Sequence, residues 1–75
     1  MRELVENIAK ALVDNPDDVY VSEIEENGVI TLKLTVAEDD MGKVIGKQGR
    51  IAKAIRTVVR SVANKDRVKV TLEII

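Results

Sequence analysis

The sequence contains no cysteine, no histidine, no phenylalanine and no tryptophan; Tyr20 is its single aromatic residue and Pro16 its single proline. Zinc sites built on Cys or His are therefore excluded. So are disulfide frameworks and the triads or acid–base schemes that use an imidazole or a thiol. One tyrosine cannot make a stacking platform, which removes the chemistry of RNP-type sheets and most OB-folds. Long apolar runs are missing too, since none approaches the ~20 residues that span a bilayer. The opening segment Met1-Arg2-Glu3-Leu4-Val5-Glu6-Asn7 is acidic where a signal peptide is basic and then apolar. The expectation is a soluble, cytoplasmic protein with no membrane association, no cofactor and no bound metal.

What is present is aliphatic and charged. The 75 residues include 12 Val, 8 Ile and 5 Leu, and 33% are charged. That length fits a single domain, residues 1–75, with a core near the lower size limit for independent folding. The net charge of −1 conceals a cancellation. Residues 1–40 carry 3 basic and 11 acidic side chains, and residues 41–75 carry 9 basic and 2 acidic. Asymmetry of this kind points to a binding surface, with mutual neutralisation of neighbouring faces as the competing explanation.

The order of elements can be read from periodicity. Leu4, Val5, Ile8, Ala9, Leu12 and Val13 recur at helical spacing, and Asn15-Pro16 ends that helix because the residue before proline is pushed out of the α region. A strand follows over Val19 to Glu25. Asn27-Gly28 is a strong hairpin signal. The second strand, Val29 to Ala37, alternates Ile30, Leu32, Leu34 and Val36 against Val29, Thr31, Lys33 and Thr35. Glu38-Asp39-Asp40 precedes a short helix through Met41 to Ile45 and suits its N-terminus as caps and dipole partners. A second helix runs from Arg50 to Ala63, with Ile51, Ile55, Val58, Val59 and Val62 on its apolar face. Asn64 to Arg67 reads as a polar turn, and Val68 to Ile74 alternates as a third strand. The order is αββααβ. The hairpin makes the first two strands antiparallel, and the two-helix crossover makes the second and third parallel. This is an α+β domain: a three-stranded mixed sheet covered on one face by three helices.

One segment carries a chemical argument: Val44-Ile45-Gly46-Lys47-Gln48-Gly49-Arg50-Ile51. It joins two helices, with apolar anchors on either side and a lysine between two glycines. Glycine lets a backbone turn tightly and approach a ligand without a Cβ in the way. The second glycine stands at a helix start, where free N–H groups and the helix dipole attract phosphate. Lys43, Lys47, Arg50, Lys53, Arg56 and Arg60 are basic, with no acidic residue between Lys43 and Arg60.

Glycines at that spacing, the lysine between them and the αββααβ order make the chain resemble a type II KH domain. The longer string Met41 to Val58, MGKVIGKQGRIAKAIRTV, is similar to the small bacterial stand-alone KH proteins of the KhpA family, and the likeness covers essentially the whole chain. The resemblance implies a single-stranded RNA-binding protein of the RNA chaperone or regulator type. Gly46, Lys47, Gln48 and Gly49 would clamp the backbone of about four nucleotides, and Ile45 and Ile51 would form part of an aliphatic groove for the bases. The family also implies a homodimer and a heterodimer with a larger KH-containing protein. Lys43 and Arg50, beside the loop, complete the expected RNA-binding set.

At 100° per residue, Lys53, Arg56 and Arg60 point away from the Ile51–Val62 face and read as a solvated helix surface as readily as an RNA contact. Glu38, Asp39 and Asp40 suit capping better than a magnesium site. Tyr20 is expected to pack against a neighbouring strand residue. Ser22 and Ser61 have no base but lysine available, so nucleophilic catalysis lacks support. The alternatives to RNA binding are a protein-interaction or dimerisation module, single-stranded DNA binding, and an enzyme using Asp39 and Asp40.

Overall fold

A computed structural model describes residues 1–46 and 49–75. Helix α1 spans Arg2–Leu12, strand β1 Tyr20–Glu26, strand β2 Val29–Thr35, helix α2 Glu38–Ile45, helix α3 Arg50–Asp66 and strand β3 Lys69–Ile74. The expected order αββααβ is the order observed. A 3-10 turn at Pro16–Asp18 is an addition, seeded by a proline whose fixed φ suits a first helical position.

Strand order is β1-β2-β3. β1 pairs antiparallel with β2, from Tyr20 opposite Thr35 to Glu26 opposite Val29. The connecting turn places Asn27 at φ 51° and Gly28 at φ 78°. Two successive positive φ values define the type I′ turn, whose twist matches that of the flanking strands. β2 pairs parallel with β3, from Val29 opposite Lys69 to Leu34 opposite Ile74. The central strand is therefore β2, and it carries the most deeply buried sheet residues, Leu32 and Leu34.

The core is wholly aliphatic. Val5 and Ala9 of α1, Val21 of β1, Leu32 and Leu34 of β2, Val44 of α2 and Ala52, Ile55 and Val59 of α3 meet in one cluster. Met1, Ile8, Met41 and Ile51 pack around it, together with Val70, Leu72 and Ile74 from β3. Burying each of the valines, leucines and isoleucines is worth roughly 1.5–3 kcal/mol. Among the described residues, no helix is long and apolar enough to cross a membrane.

Three sequence expectations need correction. Helix α3 continues to Asp66, past the turn expected at Asn64, because Arg67 adopts the left-handed conformation (φ 57°, ψ 41°) and its N–H bonds back to Ala63 and Asn64. Tyr20, expected to pack against a neighbouring strand residue, is instead 65% exposed at the start of an edge strand. The buried face of α3 is Ala52, Ile55, Val59 and Ala63, with Val58 on its exposed flank. Small residues let a helix lie close to a sheet, so the alanines rather than Val58 mark the line of contact.

Candidate functional site

The glycine loop sits between the C-terminus of α2 and the N-terminus of α3. Gly46 ends α2 with its N–H bonded to the Gly42 carbonyl at 2.6 Å. A Cβ on Gly46 would collide with that same carbonyl oxygen, so this position has no room for a side chain. Gly49 accomplishes something different. Its surroundings are open, but it takes φ +62°, the left-handed region that glycine enters without penalty. The Gly49 N–H bonds to the Gly46 carbonyl at 2.8 Å and closes the turn. Lys47 and Gln48, the two residues between, lie outside the described residues.

Gly49 is also the N-cap of α3. It offers no side-chain acceptor, and the first turn of this 17-residue helix carries no acidic residue. No side chain of the cap or the first turn therefore neutralises the leading N–H groups and the positive end of the helix dipole. Arg50, exposed at the first helical position, adds its charge there. Ile51 is half-buried against the core, whereas Ile45, the last residue of α2, is 55% exposed.

Lys43 is engaged differently. Its ammonium donates to Asp14 Oδ1 at 3.2 Å. Asp14 is positioned in turn by Asp40. Buried at 1% exposure, the Asp40 carboxylate accepts the main-chain N–H of Asp14 at 3.1 Å and of Asn15 at 3.0 Å, and the Asn15 side-chain amide at 3.1 Å. Burial pushes the Asp40 carboxyl upward, but these bonds and the nearby Lys43 charge outweigh it and hold the group below its ordinary value. This corrects only the capping half of the expectation for Glu38, Asp39 and Asp40, which do stand in the first turn of α2 as dipole partners. The N-cap is Ala37 and no side chain caps the helix; Asp40 instead ties α2 to the corner after α1. Among the described residues, no cluster of three carboxylate, imidazole or thiol groups is placed to hold a metal.

A groove of about 420 Å³ runs between α3 and the open edge of β3. Its floor is aliphatic, from Val59, Ala63, Val68, Val70 and Leu72, and its rim carries Arg56, Arg60, Asn64 and Lys69. Basic side chains line it and no acidic one does. A second hollow, about 440 Å³ on the uncovered sheet face, sets Glu26 and Glu73 against Lys33, a balance that does not favour an anion. Sequence reasoning missed Arg56 and Arg60 as groove residues because it centred the apolar face too near Ile51. On the observed face, centred at Val59, Arg56 lies about 60° and Arg60 about 100° away, on the β3 side, while Lys53 is about 120° away. Counting Ala52 and Ala63 among the apolar positions would have moved that centre toward Val59. Exposed edge-strand backbone beside the groove, at β3, supplies further N–H and C=O groups.

Comparison with known proteins gives a consistent result. A family model described as "KhpA/KhpB, KH domain" matches residues 2–74. A protein named "RNA-binding protein KhpA" from Clostridium perfringens is 63% identical over 75 residues, covering 100% of both chains. Its namesake from Caldanaerobacter subterraneus subsp. tengcongensis is 61% identical, again over 100% of each. That from Chlamydia trachomatis is 51% identical over 74 residues, 99% of this chain and 95% of the relative. No solved structure matches.

Proposed function

Because the chain belongs to the KhpA/KhpB family of KH domains, we propose that it binds single-stranded RNA through the glycine loop and the groove between α3 and β3. The observation that carries this reading is a pair of features on α3. An uncapped, acid-free helix N-terminus at Gly49–Arg50 stands at one end of α3, and an aliphatic groove rimmed by Arg56, Arg60 and Lys69 follows along the same helix. The first part suits a phosphate and the second suits bases with their flanking phosphates.

In mechanism, Gly46 to Gly49 brings backbone against the nucleic-acid backbone. Glycine is required at the first position because a Cβ would meet the Gly42 carbonyl, and is favoured at the second by its positive φ. Lys47 and Arg50 supply charge at the loop, and Ile45 and Ile51 flank it with apolar surface. Bases lie on the aliphatic floor, where hydrogen bonds to the β3 edge and Asn64 read their exposed edges. An aliphatic floor explains how a chain with one tyrosine accepts bases without aromatic stacking. A single domain makes few contacts, so affinity is modest and falls with salt. Self-association, or pairing with a larger KH-containing protein, raises it through effective concentration. The role that follows is a cytoplasmic RNA chaperone or regulator with no turnover of its own.

The test is ultraviolet crosslinking and sequencing of bound RNA with wild type and with the double variant Lys47→Asp/Gln48→Asp. Circular dichroism verifies that the variant is folded. Loss of crosslinked RNA from a folded variant is the expected result, and undiminished crosslinking refutes the clamp. A parallel arm with DNA of the same sequence separates RNA from single-stranded DNA binding, since only RNA offers the 2′-hydroxyl.

A further inference from the structure

Of the basic residues from Lys43 to Arg60, Lys43 differs in having a carboxylate fixed beside it. Among the described residues, it is the one member of that set in an ion pair, with Asp14 Oδ1 at 3.2 Å. The pair is not a chance meeting of two long side chains. Asp14 follows α1 directly, at a corner whose main chain is gripped by the buried Asp40, through the N–H of Asp14 and of Asn15. Asp40 lies one helical turn before Lys43 on α2. The grip therefore fixes the Asp14 main chain to the helix that carries Lys43. The Asp14 carboxylate is itself 77% exposed and Lys43 44% exposed, so the contact is solvated and exchangeable.

We propose that Asp14 is an internal counter-ion that competes with RNA phosphate for Lys43 and so sets how tightly the loop binds. The inference rests on the RNA-binding reading above and concerns the regulation of that same site. In the free protein, Lys43 is neutralised and contributes little to attraction. A phosphate arriving at the loop must displace Asp14 to recruit Lys43. An exposed pair is weak enough to be displaced, but displacing it forfeits part of the gain. Asp14 therefore restrains both affinity and the number of phosphates engaged. Asp40 is the positioning residue, acting only through the corner it holds.

The experiment measures anisotropy of a short labelled single-stranded RNA of mixed sequence across a salt series. It uses wild type, Asp14→Asn, Lys43→Met, the double variant and Asp17→Asn. The Asp14 main-chain N–H survives the Asn substitution, so the fold is kept. Asp14→Asn is expected to bind about threefold more tightly and to steepen the log–log salt slope by about 0.7, one phosphate contact on a single strand. Lys43→Met alone should weaken binding modestly, and in the Asp14→Asn background it should cancel the gain. Asp17→Asn removes the same charge from the neighbouring turn and should leave the slope unchanged. The proposal is overturned if Asp14→Asn leaves affinity and slope at wild-type values. It is equally overturned if the gain persists without Lys43, or if Asp17→Asn reproduces it. Failure of wild type to bind RNA overturns the RNA-binding reading itself, an outcome distinct from the other three.

Discussion

Asp40 and Asp14 stand 26 positions apart, yet the carboxylate of the first accepts the main-chain N–H of the second at 3.1 Å. With Asn15 completing the set, one buried side chain fastens the end of α1 to the first turn of α2. In Asp40→Asn the amide group would direct a donor at donors already present. Loss of charge-assisted bonds at a buried site is among the costlier polar changes. The melting temperature should fall by about 10 °C in a domain this small, as read by circular dichroism.

The same carboxylate gives a pH dependence of known sign. Its pKa in the fold lies below the value of 3.8 that it has when unperturbed. The unfolded chain therefore takes up the proton first as pH falls. Its stabilisation is complete above about pH 5 and is lost as pH drops through the lower folded value. Urea midpoints of wild type and Asp40→Asn should differ by a constant amount between about pH 5 and 8, a range in which no histidine titrates because there is none. Below about pH 4 the difference should narrow. A gap that widens with acid would contradict the assignment.

The two glycines of the loop should fail in different ways. Gly46→Ala forces a methyl group into the Gly42 carbonyl, so the end of α2 must shift, at about 1–3 kcal/mol. Gly49→Ala meets open space but keeps a positive φ, at about 1–2 kcal/mol. Gly49→Asn should recover part of that loss, because Asn tolerates the left-handed region, whereas Gly46→Asn should not. Chemical denaturation of the four variants separates steric from conformational cost.

Helix α3 offers a contrast between two aliphatic residues that periodicity alone treats alike. Ile55 is 0% exposed and Val58 is 36% exposed. Ile55→Ala should lose about 2–5 kcal/mol through lost burial and the cavity left behind. Val58→Ala should change stability by about 0.5 kcal/mol or less. Comparable losses at the two sites would contradict the observed helix rotation.

For the groove, Arg56→Gln and Arg60→Gln should each weaken RNA binding and make the salt slope shallower by about 0.7. Lys53→Gln, turned further from the groove, should have a smaller effect. Anisotropy titrations at several salt concentrations read both quantities. Equal effects at all three positions would mean that overall charge, not the groove, governs binding.

Much of the fold was legible because its signals are local. Asn27-Gly28 dictates the hairpin, the apolar period of α1 runs out ahead of Pro16, and alternation in β2 and β3 marks which side meets the helices. The loop glycines were equally plain. The rotation of α3 was not, because alanine is apolar yet contributes little to a stripe chosen by bulky residues, and Ala52 and Ala63 decide the packing. That error hid Arg56 and Arg60 from the groove. Asp40 was misread for a related reason. An acidic residue in the first turn of a helix is ordinarily a cap, and only tertiary structure brings the N–H groups of Asp14 and Asn15 to it.

The parallel register of β2 and β3, Val29 to Lys69 through Leu34 to Ile74, has a consequence for when the protein can act. Each partner is forty positions from the other along the chain, with both later helices in between. Contacts at such separation form only after the intervening crossover is closed. One wall of the groove is β3 itself, so a chain with an unfinished crossover has no groove. A ligand seated there is selected by the native state alone and shifts the whole folding equilibrium toward it by mass action. Occupancy of the groove thus reports completed folding, and β3, an edge strand held on one side only, is where folding and binding become a single equilibrium.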